Sequence, residues 1–230
     1  MRRPAAQKLR TQADIVFCVD ATSSMRPCID GVISGLQRFA EGIQSAAAVD
    51  YRLRLIAYRD LHDPTCTVGW DVFEFTSELA EFKDWLSQVR ADCNQKHRGA
   101  ESTLDAIYRA IHSPWRMQKT HKTIVVLTDD NTHPTLHAST YVRPDNDIHR
   151  VIQDFQELRH AMLFMVAPKY PLYAQIEQSM ISADRKVVAN WVPQDDERYD
   201  GLESVAWGPL MNMLGQVVSA TSVTVAAADT

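Results

Sequence analysis

No stretch of these 230 residues approaches the roughly 20 consecutive apolar residues needed to span a bilayer. There is no excess of positive charge either. The formal net charge is −5, which removes the electrostatic footprint expected for nucleic acid or an anionic membrane. The basic, polar opening Met1–Arg10 has no apolar core behind it, so a secretory signal is not expected. Two nucleotide or hydrolase signatures are missing: a Gly-rich phosphate loop ending in Gly-Lys, and a G-x-S-x-G nucleophile elbow. The four cysteines, Cys18, Cys28, Cys66 and Cys93, show no paired spacing, so reduced thiols in a cytoplasmic protein are the expectation. The pairs Cys93/His97, His62/Cys66 and His133/His137 are each four apart. None has two further ligands at zinc spacing, so zinc is not expected and the loop histidines read as solvated.

The chain is organised around Ala13–Met25, ADIVFCVDATSSM. The apolar run Ile15–Val19 reads as a strand buried on both faces, as in the centre of a parallel sheet. It ends at a carboxylate, and Asp20, Thr22 and Ser24 then present short oxygen side chains at alternate positions. Ligands in open α/β sheets bind past the carboxyl ends of the strands. One carboxylate and two hydroxyls suit a hard, oxygen-seeking cation. A second apolar strand, Thr123–Leu127, ends likewise at Asp129 and Asp130.

Between and after these strands the pattern alternates. A helix from Pro27 has Ile29, Val32, Ile33, Leu36, Phe39 and Ile43 at helical spacing. Tyr51–Tyr58 and Trp70–Phe75 read as an edge hairpin. Leu79–Val89 reads as a second helix, and Glu101 is expected to start a third that Pro114 stops. Further elements are a helix from Ile148, a strand Met162–Val166, a helix Leu172–Ile181, a strand Val187–Val192 and a last helix with Pro209 at its first position. Strands alternating with helices predict a doubly wound, mostly parallel α/β sheet of about six strands, with one antiparallel edge strand and helices on both faces. Residues 1–12 are expected as an arm, 13–219 as one domain and 220–230 as a fraying tail.

From about Ala13 to Ser219 the chain resembles the von Willebrand factor type A domain, a Rossmann-like family. DATSS is similar to the family's D-x-S-x-S signature, with Thr22 in place of the first serine, and LTDD is similar to its strand ending in Thr-Asp. The stretch AYRD, Ala57–Asp60, looks like intracellular prokaryotic members. The resemblance implies a metal-ion-dependent adhesion site holding magnesium, with manganese as a substitute. Its ligands would be Asp20, Thr22, Ser24, Asp129 and a residue between the strands where the family has threonine. Counting back from Ala106-Ile107, that residue is Glu101, with Thr103 as the fallback. Asp60 and Asp130 would form the rim. The implied role is non-enzymatic capture of a Glu or Asp from a partner protein, in a bacterial system acting beside an AAA+ ATPase or a kinase and phosphatase pair. The alternative is a magnesium-dependent phosphohydrolase with Asp20 as nucleophile. That chemistry wants a second Asp two residues on, where this chain has Thr22.

Overall fold

A computed structural model of the chain describes residues 11–228, apart from 46, 47, 65, 67, 90–99, 118, 181–183, 194–201 and 203. Six strands form one sheet: β1 (Thr11–Asp20), β2 (Val49–Tyr58), β3 (Trp70–Val72), β4 (Thr120–Leu127), β5 (Ala161–Pro168) and β6 (Arg185–Val192). Their spatial order is β3-β2-β1-β4-β5-β6. Only the β2–β3 pair is antiparallel. The helices are α1 (Arg26–Ile43), α2 (Leu79–Gln88), α3 (Thr103–Ile111), α4 (Ile148–Glu157), α5 (Pro171–Ser179) and α6 (Trp207–Ala228). The doubly wound α/β architecture expected from the alternation is therefore present, with its single antiparallel edge strand.

β1 shows why the central strands read as unbroken apolar runs. Ile15, Phe17 and Val19 point to a core formed with α1, α2 and α6, while Val16 and Cys18 point to a second core formed with α3 and α4. A central strand covered on both faces has no wet side, so the alternation of half-buried strands disappears. On the first face α1 and α6 run in close contact. A Cβ on Gly215 would meet the Phe39 carbonyl oxygen at 2.4 Å and the Ile43 nitrogen at 2.8 Å, so the backbone approach needs glycine there.

The opposite end of β1 is pinned by charge. Asp14 is fully buried and accepts from Arg52 Nε and Nη2 at 3.0 and 2.7 Å, and from Arg116 N and Nε at 2.8 Å each. Arg116 also reaches Asp50 Oδ2 at 2.9 Å and the Ala13 carbonyl at 3.0 Å. A buried carboxylate is tolerated only when its oxygens are filled this way.

Several boundaries differ from the sequence reading. Thr11 and Gln12, expected in the arm, are part of β1. The tail expected to fray from Thr221 continues α6 to Ala228; Ser222 is buried and its hydroxyl donates to the Val218 carbonyl at 2.7 Å. α6 begins at Trp207, so Pro209 is its third residue, not its first. α3 begins at Thr103, so Glu101 precedes the helix instead of opening it. The reduced-thiol expectation fails at Cys66, which is disulfide-bonded, while Cys18 and Cys28 are free and buried. Cys93, His97 and residues 1–10 lie outside the described residues. No described helix is long and apolar enough to cross a membrane.

Candidate metal centre

The site is built by strand register. β1 pairs with β4 in parallel up to Val19↔Leu127, and with β2 up to Asp20↔Tyr58. The carboxyl ends of three neighbouring strands therefore stand level. The chain leaves β1 for α1 and β2 on one side and meets β4 on the other, so the crevice between β1 and β4 is the switch point of the sheet.

Asp20 ends β1 and is fully buried. Its Oδ1 accepts from the backbone N–H of Thr22 at 2.9 Å and the Thr22 hydroxyl at 2.8 Å; its Oδ2 accepts from the Thr128 hydroxyl at 3.1 Å. Ser24 lies in the middle of the helical turn Ser23–Met25 before α1, its Oγ 3.3 Å from Thr22 Oγ1, and its hydroxyl donates to the Asp129 carboxylate. The alternate spacing of Asp20, Thr22 and Ser24 thus gathers three oxygen side chains, and the level strand ends bring Asp129 to them.

Glu101 reaches the same crevice by a different route. Its N–H donates to the Asn131 carbonyl at 2.8 Å, and its carbonyl accepts from His133 N at 3.0 Å. That two-bond bridge stitches the segment before α3 to the loop after β4. The Glu101 side chain is only 2% exposed. Thr103, the fallback position, is also buried, but its hydroxyl is engaged. Tyr58 Oη lies 2.9 Å from Thr103 Oγ1 and Tyr173 Oη lies 3.1 Å from it, while Tyr173 Oη is also 2.9 Å from the Asp130 carbonyl.

The electrostatics are those of crowded acids. Asp20 is pushed up to about 7, first by burial and then by Asp129, against the bonds from Thr22 and Thr128. Glu101 is pushed up to about 10 by burial and by Asp20, Asp60, Asp130 and Asp129 in that order. Asp129 is raised by burial and by Asp130, with the Ser24 hydroxyl opposing. Like-charged carboxylates sharing a dry site resist joint ionisation. Among the described residues, no three His, Cys, Asp or Glu side chains are already drawn together as metal ligands. The donor set nevertheless fits magnesium. Every candidate is an oxygen, two are hydroxyls adjoining carboxylates, and the surplus negative charge is what a divalent cation offsets.

The rim departs from a set of solvated loop residues. Asp60 Oδ1 accepts from His62 N and from His133 Nε2, each at 2.9 Å. Burial acts to raise Asp60, but the His133 and His62 bonds outweigh it and hold the carboxyl below its usual range. The rings of His133 and His137 pack 4.0 and 4.9 Å from that of His62. These histidines therefore interlock the loop after β2 with the loop after β4. Sequence reasoning missed Thr128, Tyr58 and Tyr173 as supports of the site. Thr128 is the threonine of the Thr-Asp strand end and Tyr58 the tyrosine of AYRD, so both sat beside named residues. Tyr173 carries no local signal, because only packing brings α5 under the crevice.

No protein-family model matches the chain, and no curated protein matches its sequence. Solved structures do match in fold. The VWA domain of SpRpn10 is similar with a TM-score of 0.58 at 12% identity, covering 89% of this chain and 97% of that one. An aerotolerance-related membrane protein from Bacteroides fragilis gives 0.55 at 9% identity, covering 90% of this chain and 99% of that one. A von Willebrand factor type A structure from Catenulispora acidiphila gives 0.56 at 12% identity, covering 91% of this chain and 43% of that one.

Proposed function

Starting from the von Willebrand factor type A fold, we propose that this chain is a non-enzymatic, magnesium-dependent protein-interaction module. It would capture a Glu or Asp of a partner protein. The observation that carries the reading is the meeting of Asp20 and Asp129 at the ends of adjacent parallel strands, with Thr22 and Ser24 hydrogen-bonded onto them. Asp20, Thr22, Ser24 and Asp129 would hold the cation, with Glu101 joining them from the segment before α3. When bound, magnesium keeps exchangeable water positions, one of which an incoming carboxylate can take.

The chain's own residues supply the rest. Thr128 holds Asp20 through Oδ2 and Thr22 holds it through Oδ1, so the carboxylate is fixed in place at the end of β1. The loop after β4 and the residues 60–62 after β2 are joined through Asp60 and His133, and a partner would meet them beside the crevice. A bacterial system with an AAA+ ATPase or a kinase and phosphatase pair is the setting the family resemblance suggests. A cytoplasmic location now rests on that resemblance alone, because the Cys66 disulfide removes the argument from free thiols. The absence of a second acid two residues after Asp20 disfavours the phosphohydrolase alternative, since Thr22 is turned onto Asp20 Oδ1.

The test is calorimetric titration of magnesium and manganese, with urea unfolding in parallel. Ligand that binds only the native state stabilises it by mass action, about 2.7 kcal/mol at a hundredfold excess over Kd. Wild type should show the stabilisation and Asp20→Ala should not. Equal binding by wild type and the Asp20→Ala, Asp129→Ala double variant would place the site elsewhere. With a partner in hand, capture should fail in EDTA and with Thr22→Ala.

A further inference from the structure

We propose that a cavity at the amino-terminal edge of the sheet, opposite the crevice, is a binding site for a small neutral phenol whose hydroxyl donates to His121 Nδ1. The cavity has a volume of about 180 Å³. His121, Ala161 and Lys186 line it from the first residues of β4, β5 and β6, and Thr221, Thr224 and Val225 line it from the last turns of α6. It runs from the buried His121 ring, 4% exposed, to Lys186 and Thr224, which are exposed. Asp20 and Asp129 lie at the carboxyl ends of the strands, so this site does not depend on the magnesium reading.

The hydrogen bonds of His121 decide what it offers. Thr221 Oγ1 has one proton, which the Val217 and Val218 carbonyls share at 2.7 and 3.1 Å. His121 Nε2 lies 2.9 Å from the same oxygen, so Nε2 carries the ring proton and donates it. The imidazole is held neutral by burial and by the charges of Lys122, His160 and Lys186. Nδ1 is then a bare acceptor, and it has no partner among the described residues. The His160 carbonyl is near the ring, but it accepts from Lys122 N at 2.9 Å and does not reach Nδ1 with hydrogen-bond geometry. Buried polar atoms are almost always bonded, so an orphaned acceptor on a ring that lines a cavity calls for a donor within it.

The walls narrow the choice of donor. A water needs about two to four polar partners, and Ala161 and Val225 offer it none. An ammonium group is repelled by the same three cations that keep His121 neutral, and Asp184 at the cavity is already paired with Arg185 Nη1 at 2.8 Å. A carboxylic acid is ionised at neutral pH and has no proton to give, whereas a phenol, ionising near pH 10, keeps its own. The size agrees. An apolar cavity of about 150 Å³ accommodates benzene, so this one takes a single substituted ring.

The probe is phenol, with toluene as the analogue of equal size that lacks the donor, each titrated calorimetrically into the full chain in EDTA. Wild type should bind phenol at least about tenfold more tightly than toluene, because toluene leaves the acceptor unpaired. His121→Leu should lose that preference. It replaces an unpartnered polar ring with an apolar side chain and leaves Thr221 bonded to Val217, so the fold should survive. Val225→Phe, which fills the cavity from α6, should bind neither compound. Equal affinity of wild type for the two compounds would overturn the proposal, as would a phenol preference that His121→Leu retains. Phenol binding that Val225→Phe leaves intact, or no phenol binding by wild type, would overturn it as well.

Discussion

Removing the carboxylate of Asp14 should test the stability argument without touching the proposed site. Asp14 is fully buried and receives four donors, two from Arg52 and two from Arg116, between 2.7 and 3.0 Å. Breaking a buried ion pair by deleting one partner costs about 3–5 kcal/mol, because the surviving charge is left uncompensated. Here the survivors are not sealed in: the Arg52 and Arg116 side chains are 29% and 20% exposed, so water recovers part of the loss. Arg116 also keeps its contacts to Asp50 and the Ala13 carbonyl. Asp14→Ala is therefore expected near the lower bound, about 3 kcal/mol. Asp14→Asn, which keeps an acceptor, should cost roughly half of that. In urea unfolding with a slope of about 3 kcal/mol per molar, the Ala variant should lose about 1 M in midpoint. Asp14 lies six residues before Asp20 on one extended strand, about 20 Å away at 3.3 Å per residue. Magnesium affinity should thus be unchanged in the folded variant. A loss below about 1 kcal/mol, the size of an ordinary surface change, would refute the reasoning.

Three further outcomes are expected. His121 is held neutral down to about 3 by burial and by the nearby Lys122, His160 and Lys186 charges, below its ordinary value of 6.5. Its protonation favours the unfolded chain, so its contribution is intact above pH 6.5 and is lost as pH falls toward 3, at about 1.4 kcal/mol per pH unit. Urea unfolding at pH 7 and pH 5 should show wild type losing about 2 kcal/mol more than His121→Leu, and equal losses would count against it. Gly215→Ala should cost about 2 kcal/mol by forcing α6 off α1, since the new methyl would meet main-chain atoms that cannot turn aside; an unchanged thermal midpoint would refute this. Alkylation of the unfolded chain without reductant should modify Cys18 and Cys28 but spare Cys66, which should react only after reduction; mass spectrometry reads the difference.

The sequence by itself determined the sheet and the heart of the site. Ile15–Val19 and Ile124–Leu127 are unbroken apolar runs because both faces of a central strand are covered, and the carboxylates Asp20 and Asp129 follow at the carboxyl ends of those strands, where the sheet opens into the crevice. Asp20, Thr22 and Ser24 were legible for the same local reason: a strand that stops and turns must place its next side chains together. What the sequence could not decide depended on residues far apart in the chain. Glu101 lies outside α3 because its backbone bonds to Asn131 and His133, thirty residues on, and helical periodicity is blind to such a partner. Thr103 is withheld from the crevice by Tyr58 and Tyr173, from β2 and α5. The final turns of α6 hold because Thr221 bonds His121 on β4 at 2.9 Å and Val225 is buried, although the segment reads as small and polar. Local pattern fixes which face is dry; only the folded chain fixes which distant groups fill the polar bonds that dryness leaves behind.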